Sequence, residues 1–216
     1  VLLLAFDTSS PAITVALHDG DQVLAEHTVI DARRTGELLA PGIAYVLERT
    51  GKAASDLTDI AVGVGPGPFT GLRIGLMTAR ALADALPVLL RGVCSLDIVA
   101  ASVVSTAPYL VASDARRREV YWATYDPHGV RIDGPYVNKP ADVEWRGPSF
   151  GAGAVMYKEV FADAQLPDVP NAELPSAGVL AAMVATGKAA VLPADPLYLR
   201  RPDAVEPPAR KVVTPA

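Results

Sequence analysis

Four stretches of the chain hold side chains of the kinds that do chemistry. FDTSS, at residues 6–10, sets the carboxylate of Asp7 just before the hydroxyls of Thr8 and Ser9. At a strand end such a carboxylate orients a magnesium-bound water or caps a tight turn through nearby amides, and the residues leave both readings open. VGVGPGPFTGLRIG, at residues 62–75, is a glycine-rich segment ahead of a helix. A Walker A loop needs a lysine and a hydroxyl after its last glycine, to neutralise phosphate and hold magnesium. Here Gly71 is followed by Leu72-Arg73, and the spacing also misses the dinucleotide fingerprint. Pro66 and Pro68 remove two amides that a phosphate cradle would use. What remains is a strand-to-helix turn whose glycines permit positive φ or close backbone approach. Anion or partner contact at the helix N-terminus is the functional alternative.

The other two stretches are weaker. Gly147-Pro148-Ser149-Phe150-Gly151 matches the nucleophile-elbow pattern literally, but the histidine of that triad follows its serine, and the last histidine here is His128. His18, His27 and His128 form no pair at helical metal spacing and are expected on the surface. Arg116-Arg117-Arg118 precede a strand carrying Tyr121, Trp122 and Tyr125. Basic residues beside aromatics suit a nucleic-acid surface, but alternate residues of a strand face opposite ways, which favours a solvated hairpin edge.

The elements that must position these residues follow from periodicity. Apolar runs at residues 2–6, 13–17 and 23–30, with Asp19-Gly20 between the last two, predict three antiparallel strands. Leu39, Ile43, Val46 and Leu47 then share a helical face over about 36–50. A short strand at 60–64 leads through the glycine-rich segment to a helix over about 70–85, apolar almost all round and so expected to be covered on more than one side. A strand at 88–90 and a helix capped by Ser95 follow. After a boundary near residue 105, strands at 109–112, 119–125 and 130–132 repeat the opening pattern. Helices after Gly151-Ala152-Gly153, to about 164, and after Ser176 complete it. The order describes a duplicated unit, residues 1–104 and 105–216, with about the last 20 residues returning to the first lobe.

With 216 residues, half of them apolar, the chain fills a substantial core, and no uncharged apolar run reaches membrane-spanning length. One cysteine excludes an internal disulfide, and no Cys or His cluster has zinc spacing, so a cytoplasmic location is expected. A net charge of −5 gives no global attraction to polyphosphate. On the first helix Leu38, Gly42 and Tyr45 form a second row that serves either core packing or a partner.

FDTSS, RTGELLAP, VGVGPGPFTGLRIG, SDARRREVYWATY and PLYLRRPDA, in that order over nearly the whole chain, closely resemble the TsaB family, also called YeaZ. The resemblance implies an α/β fold of the actin-like, sugar-kinase and Hsp70 type, with two similar lobes each built from a mixed sheet flanked by helices. It implies a non-catalytic subunit of the bacterial machinery that makes threonylcarbamoyladenosine at position 37 of tRNA. TsaB proteins resemble the catalytic TsaD, whose metal is held by two histidines on the helix that here spans Thr35 to Leu47 and carries none. The second phosphate loop is replaced by Asp114-Ala115-Arg116, leaving Asp7, Thr8, Gly151 and Gly153 as a remnant of a nucleotide site. No cofactor is expected for the chain itself, ATP and magnesium being used by the complex. The implied partners are TsaD, TsaE and a second copy when the chain is alone, with tRNA met only through the complex. Helix contact is implied through Leu38, Gly42 and Tyr45, with Leu76, Ala79, Arg80 and Ala83 from the second helix. A free-standing actin-like ATPase or kinase is the alternative, and a peptidase built on Ser149 ranks last.

Overall fold

A computed structural model describes residues 1–161, 163–165 and 173–200. The first sheet is built from β1 (Leu3–Asp7), β2 (Ala12–His18), β3 (Val23–Ile30), β4 (Asp59–Gly63) and β5 (Leu89–Val93), in the order β3-β2-β1-β4-β5. Pairing is antiparallel among β1, β2 and β3, and parallel from β1 through β4 to β5. The second sheet uses β6 (Tyr109–Asp114), β7 (Val120–Tyr125), β8 (Arg131–Asn138), β9 (Ser149–Phe150) and β10 (Ala164–Gln165), in the order β10-β9-β6-β7-β8. The order and the pairing senses repeat the first sheet strand for strand. The duplicated unit is therefore a property of the fold.

Five helices accompany the sheets: α1 (Thr35–Thr50), α2 (Phe69–Ala85), α3 (Ser95–Ala100), α4 (Ala152–Met156) and α5 (Ala177–Ala185). α1 and α2 lie side by side on one face of the first sheet, where Leu39, Ile43, Val46, Leu76 and Ala79 join Leu4, Phe6, Val15 and Val62 in one core. Two of the other three are exchanged. α3 leaves the first sheet but packs Leu96, Val99 and Ala100 against Tyr109, Val111 and Tyr125 of the second. α5 leaves the second sheet but packs Ala177, Leu180 and Ala181 against Leu3, Ala5 and Ala16 of the first. Such small, apolar side chains let a helix lie close on a strand face.

Three expectations change. α5 falls within 105–216 by sequence yet belongs by packing to the first sheet, anchored where Glu26 Oε1 accepts from Ser176 Oγ at 2.8 Å and from the Gly178 amide at 3.1 Å. That carboxylate sits at the helix N-terminus, where the dipole favours it. α4 stops at Met156 rather than near 164. Ser95 is the first residue of α3 rather than its cap, because its hydroxyl is engaged elsewhere. The chain returns to the first sheet at Leu192, bridged to Gly92, and at Leu197, whose amide donates to Val64 O at 2.8 Å. Of the last 20 residues, 201–216 lie outside the described residues.

Candidate functional site

Asp7 ends β1 and is wholly buried, so its carboxylate must find its partners inside the protein. Oδ1 accepts from the Ser9 amide and Ser9 Oγ, both at 2.7 Å, and Oδ2 accepts from Ser95 Oγ at 2.6 Å. Ser95 Oγ in turn accepts from the Gly65 amide at 3.1 Å. Burial raises the Asp7 pKa above the usual carboxylate value, against the lowering by Ser95 and Ser9. Of the two roles open for Asp7, the geometry is that of the turn cap. Thr8 is equally enclosed, its hydroxyl donating to Gly71 O at 2.8 Å.

What encloses them is the glycine-rich segment. A Cβ on Gly63 would lie 1.7 Å from Asp7 Oδ2, one on Gly67 2.2 Å from Ser9 O, one on Gly71 2.3 Å from Thr8 O, and one on Gly75 2.3 Å from Thr8 Oγ1. Glycines four residues apart thus lay bare backbone along the FDTSS turn, first through the loop and then along the first turns of α2. The chain itself fills the space in which a phosphate would approach this strand end.

Gly151 and Gly153 face the other way. Gly151 holds φ 90°, and its Cβ would lie 2.4 Å from Ala112 O; that of Gly153 would lie 2.8 Å from Ser113 C. They let α4 close onto β6. Between the lobes a cleft of about 190 Å³ is lined by Ser10, Pro66, Leu96, Asp114, Arg116 and Met156 among others. Prolines and aliphatic side chains form much of its wall, with Asp7 sealed beneath. Among the described residues no group of three or more His, Cys, Asp or Glu could hold a metal. Ser149 is buried in β9, its hydroxyl donating to Gly147 O at 3.1 Å.

His18 corrects the expectation of surface histidines: it is buried, its Nδ1 accepting from the Gly20 amide at 2.9 Å. His27 is half-buried with Tyr45 across it, ring centroids 4.7 Å apart. The arginine triplet lies, as expected, at the exposed turn before β7, with φ of 60°, 57° and 61° at Arg116, Arg117 and Arg118.

A second buried polar group joins the lobes. Asp97 of α3 accepts from Tyr125 OH at 2.9 Å and pairs with Arg131 at 3.3 Å. Burial raises the pKa of Asp97 despite Arg131 and Tyr125, and pushes neighbouring Cys94 up to about 12. That cysteine is an inert core residue.

The two helices divide the expected contact residues. Leu76 and Ala79 are 1% and 0% exposed, packed toward the sheet with Leu72 and Gly75. Gly42 is also internal: its bare Cα lets α1 approach β2 and β3, where a Cβ would meet Val15 at 3.2 Å and His27 at 3.3 Å. Leu38 and Ala83 are half-buried. Arg80 is tied down by Ala194 O at 2.9 Å and by the carboxylate of Asp195. Tyr45 alone of the seven is well exposed, at 45%. The exposed residues instead include Ala40, Pro41, Ala44 and Tyr45 on α1, and Phe69, Arg73, Met77 and Ala81 on α2. Phe69 and Met77 are 41% and 49% exposed, and Phe69 stacks on Tyr198 at 5.3 Å between centroids with Arg73 over its outer side. A groove of about 340 Å³ runs between α2 and Pro196 and Tyr198. Sequence reasoning missed Phe69, Met77 and Tyr198. The signal was present in α2, where Met77 interrupts the Leu72, Leu76, Ala79 row, but it could be oriented only with the sheet in view.

Two sheets of one strand order with exchanged helices define the actin-like, sugar-kinase and Hsp70 class of fold. The activator of 2-hydroxyisocaproyl-CoA dehydratase from Clostridium difficile shares it at a TM-score of 0.51 and 11% identity, over 87% of this chain and 96% of its own. Within that class, the family described as TsaD, tRNA N6-adenosine threonylcarbamoyltransferase, matches residues 23–193. YeaZ from Pseudomonas aeruginosa superposes with a TM-score of 0.72 at 32% identity, over 92% of this chain and 99% of its own. An uncharacterised protein of Mycobacterium tuberculosis is 44% identical over 94% of this chain and 93% of its own length. The tRNA threonylcarbamoyladenosine biosynthesis protein TsaB of Escherichia coli is 35% identical over 59% of this chain and 57% of its own length. The chain belongs to the TsaD-like family and, within it, to the YeaZ/TsaB group.

Proposed function

We propose that this chain is a non-catalytic subunit of tRNA threonylcarbamoyladenosine biosynthesis, which binds TsaD and works with TsaE in the cytoplasm. Family membership supports the pathway. The observation that carries the subunit role is a pairing of two facts about one segment. The glycines of residues 63–75 seal Asp7 and Thr8, and the helix they launch exposes Phe69, Arg73 and Met77 beside Pro196 and Tyr198, while α1 separately exposes Tyr45. Apolar and aromatic side chains with an arginine, held on two rigid helices, have the composition of a partner hot spot. On this reading the same face takes a second copy when the chain is alone. Threonylcarbamoyl transfer, with its ATP and magnesium, belongs to the other subunits, and tRNA is met in the complex. Among the described residues no helix is long and apolar enough to cross a membrane.

Reconstitution tests the proposal. TsaD, TsaE and the adenylate-forming enzyme are assayed for threonylcarbamoyladenosine on unmodified tRNA, with and without this chain. Product is expected to fall at least about tenfold without it, and undiminished product would contradict the role. Calorimetry of the isolated chain with magnesium-ATP addresses the ATPase alternative, for which micromolar binding and turnover would be required.

A further inference from the structure

We infer that the turn Arg116-Arg117-Arg118, between β6 and β7, is a contact for the phosphate backbone of RNA. All three arginines are exposed and hold positive φ, at 60°, 57° and 61°. For L-residues that left-handed region is unfavourable, and glycine alone enters it freely. Glycine would therefore suit each position better than the arginine it holds. The core does not explain the arginines either, because exposed side chains at a hairpin tip bury little apolar surface. Arg116 lies 3.3 Å from Asp114 Oδ2, but an exposed pair of that kind contributes little to stability. What the side chains do supply is a permanently charged, planar fork matched to phosphate oxygens. Strain retained at exposed, charged side chains points to a function.

The turn is braced from beneath. Asp114 Oδ1 accepts the Arg116 amide at 2.7 Å, and the Glu119 amide donates to Arg116 O at 3.0 Å. Arg200 Nη1 donates to Ala115 O at 2.9 Å, and its guanidinium pairs with Glu119 and lies 5.9 Å from the Tyr121 ring centroid. A fourth cation is thereby gathered at the same tip. Burial and the neighbouring charge of Arg117 lower its pKa.

The arrangement favours a strand of phosphates over a small polyphosphate. Of the three arginines Arg116 lines the interlobe cleft, while Arg117 and Arg118 are not among its lining, so they do not converge on a cavity as a nucleotide pocket requires. Guanidinia on successive residues of an exposed turn can meet successive phosphates. With a net charge of −5 the chain as a whole repels polyanions, so the turn acts at short range, once a partner has brought RNA close. The choice of RNA over another polyanion rests on the tRNA-modification reading.

The test measures binding of a tRNA transcript over a salt series, using the wild-type chain and the double variant Arg117→Ala/Arg118→Ala. Each series is run on the chain alone, from low salt upward, and in assembly with TsaD and TsaE. Loss of two phosphate contacts should make the slope of log K against log salt shallower by about 1.8. Lysine at the same positions should restore most of it. Identical slopes for wild type and double variant overturn the inference. So does ATP binding that the double variant loses with no change in tRNA slope, which would assign the turn to a free nucleotide. Co-elution with TsaD is read in parallel: failure to assemble counts against the proposed function, while the slopes of the chain alone still decide this inference.

Discussion

β1 and β6 occupy the same place in two sheets of the same order, and both end on an aspartate. Beyond that the strand ends diverge. At Asp7 the following turn is sealed, with three hydrogen bonds to the carboxylate and four glycines laid along it. At Asp114 the following turn stands open, with three arginines in a conformation that suits glycine. The difference lies in the segment that packs against each strand. In the first lobe Gly63, Gly67, Gly71 and Gly75 reach Asp7, Thr8 and Ser9, the end of the strand and the turn beyond it. In the second, Gly151 and Gly153 reach only Ala112 and Ser113, short of the turn. One architecture thus yields a buried structural knot in one lobe and an exposed, charged tip in the other, according to where the glycines fall.

The comparison breaks first at Gly67. Gly67→Ala drives a Cβ into the Ser9 carbonyl, backbone against backbone, and should lower stability by about 3 kcal/mol or more, or prevent folding, as read from urea unfolding. Gly187→Ala, with no atom within 4 Å of its added Cβ, carries only the strain of its φ of 69°.

Adjacent residues of α2 should separate next. Leu76→Ala removes a buried side chain and should cost about 3 kcal/mol. Met77→Ala should change stability by less than about 0.5 kcal/mol, yet weaken assembly with TsaD roughly tenfold by titration.

The sealed carboxylate should then show in the pH dependence. Burial raises the pKa of folded Asp7 above the ordinary aspartate value, so between that value and the raised one the folded protein binds the extra proton. Stability from this group is gained on acidification through that window and lost as pH rises through the folded pKa. Asp7→Asn should flatten part of the slope of unfolding free energy against pH, leaving the part due to Asp97, which burial shifts the same way.

The smallest effect belongs to the open turn. Arg118→Gly relieves one left-handed residue and should stabilise the chain by about 0.5–1 kcal/mol. A destabilised variant would show that the arginine is a packing residue and remove the contrast between the strand ends.

Much of this was legible in the sequence. The repeated strand order followed from apolar runs and turn residues, and the glycine-rich segment was readable as a turn allowing close approach, because proline and the missing lysine excluded the phosphate loops. Its contact, the FDTSS turn some 60 residues earlier, was not readable, since spacing gives no distances between segments. The helix faces failed for a related reason. Leu76 and Ala79 share a nearly all-apolar helix with Met77, so periodicity alone could not say which stripe met the sheet. α5 escaped because its small apolar residues fit either lobe, and the polar contacts that fix its start to the first, with Glu26 and Thr14, lie 152 and 163 residues earlier in the chain. The strain at Arg116 to Arg118 left no mark in composition, because arginine is an ordinary residue at a hairpin edge.

The central claim, that the sealed turn supports a helix face for a catalytic relative, is tested most directly by mass. Light scattering is measured for the chain alone and after titration with TsaD, for wild type and Met77→Glu. The account predicts a homodimer that gives way to a complex with TsaD, with both assemblies weakened together by the substitution. A TsaD complex that forms equally well with Met77→Glu, or no complex at all with the wild-type chain, would contradict it.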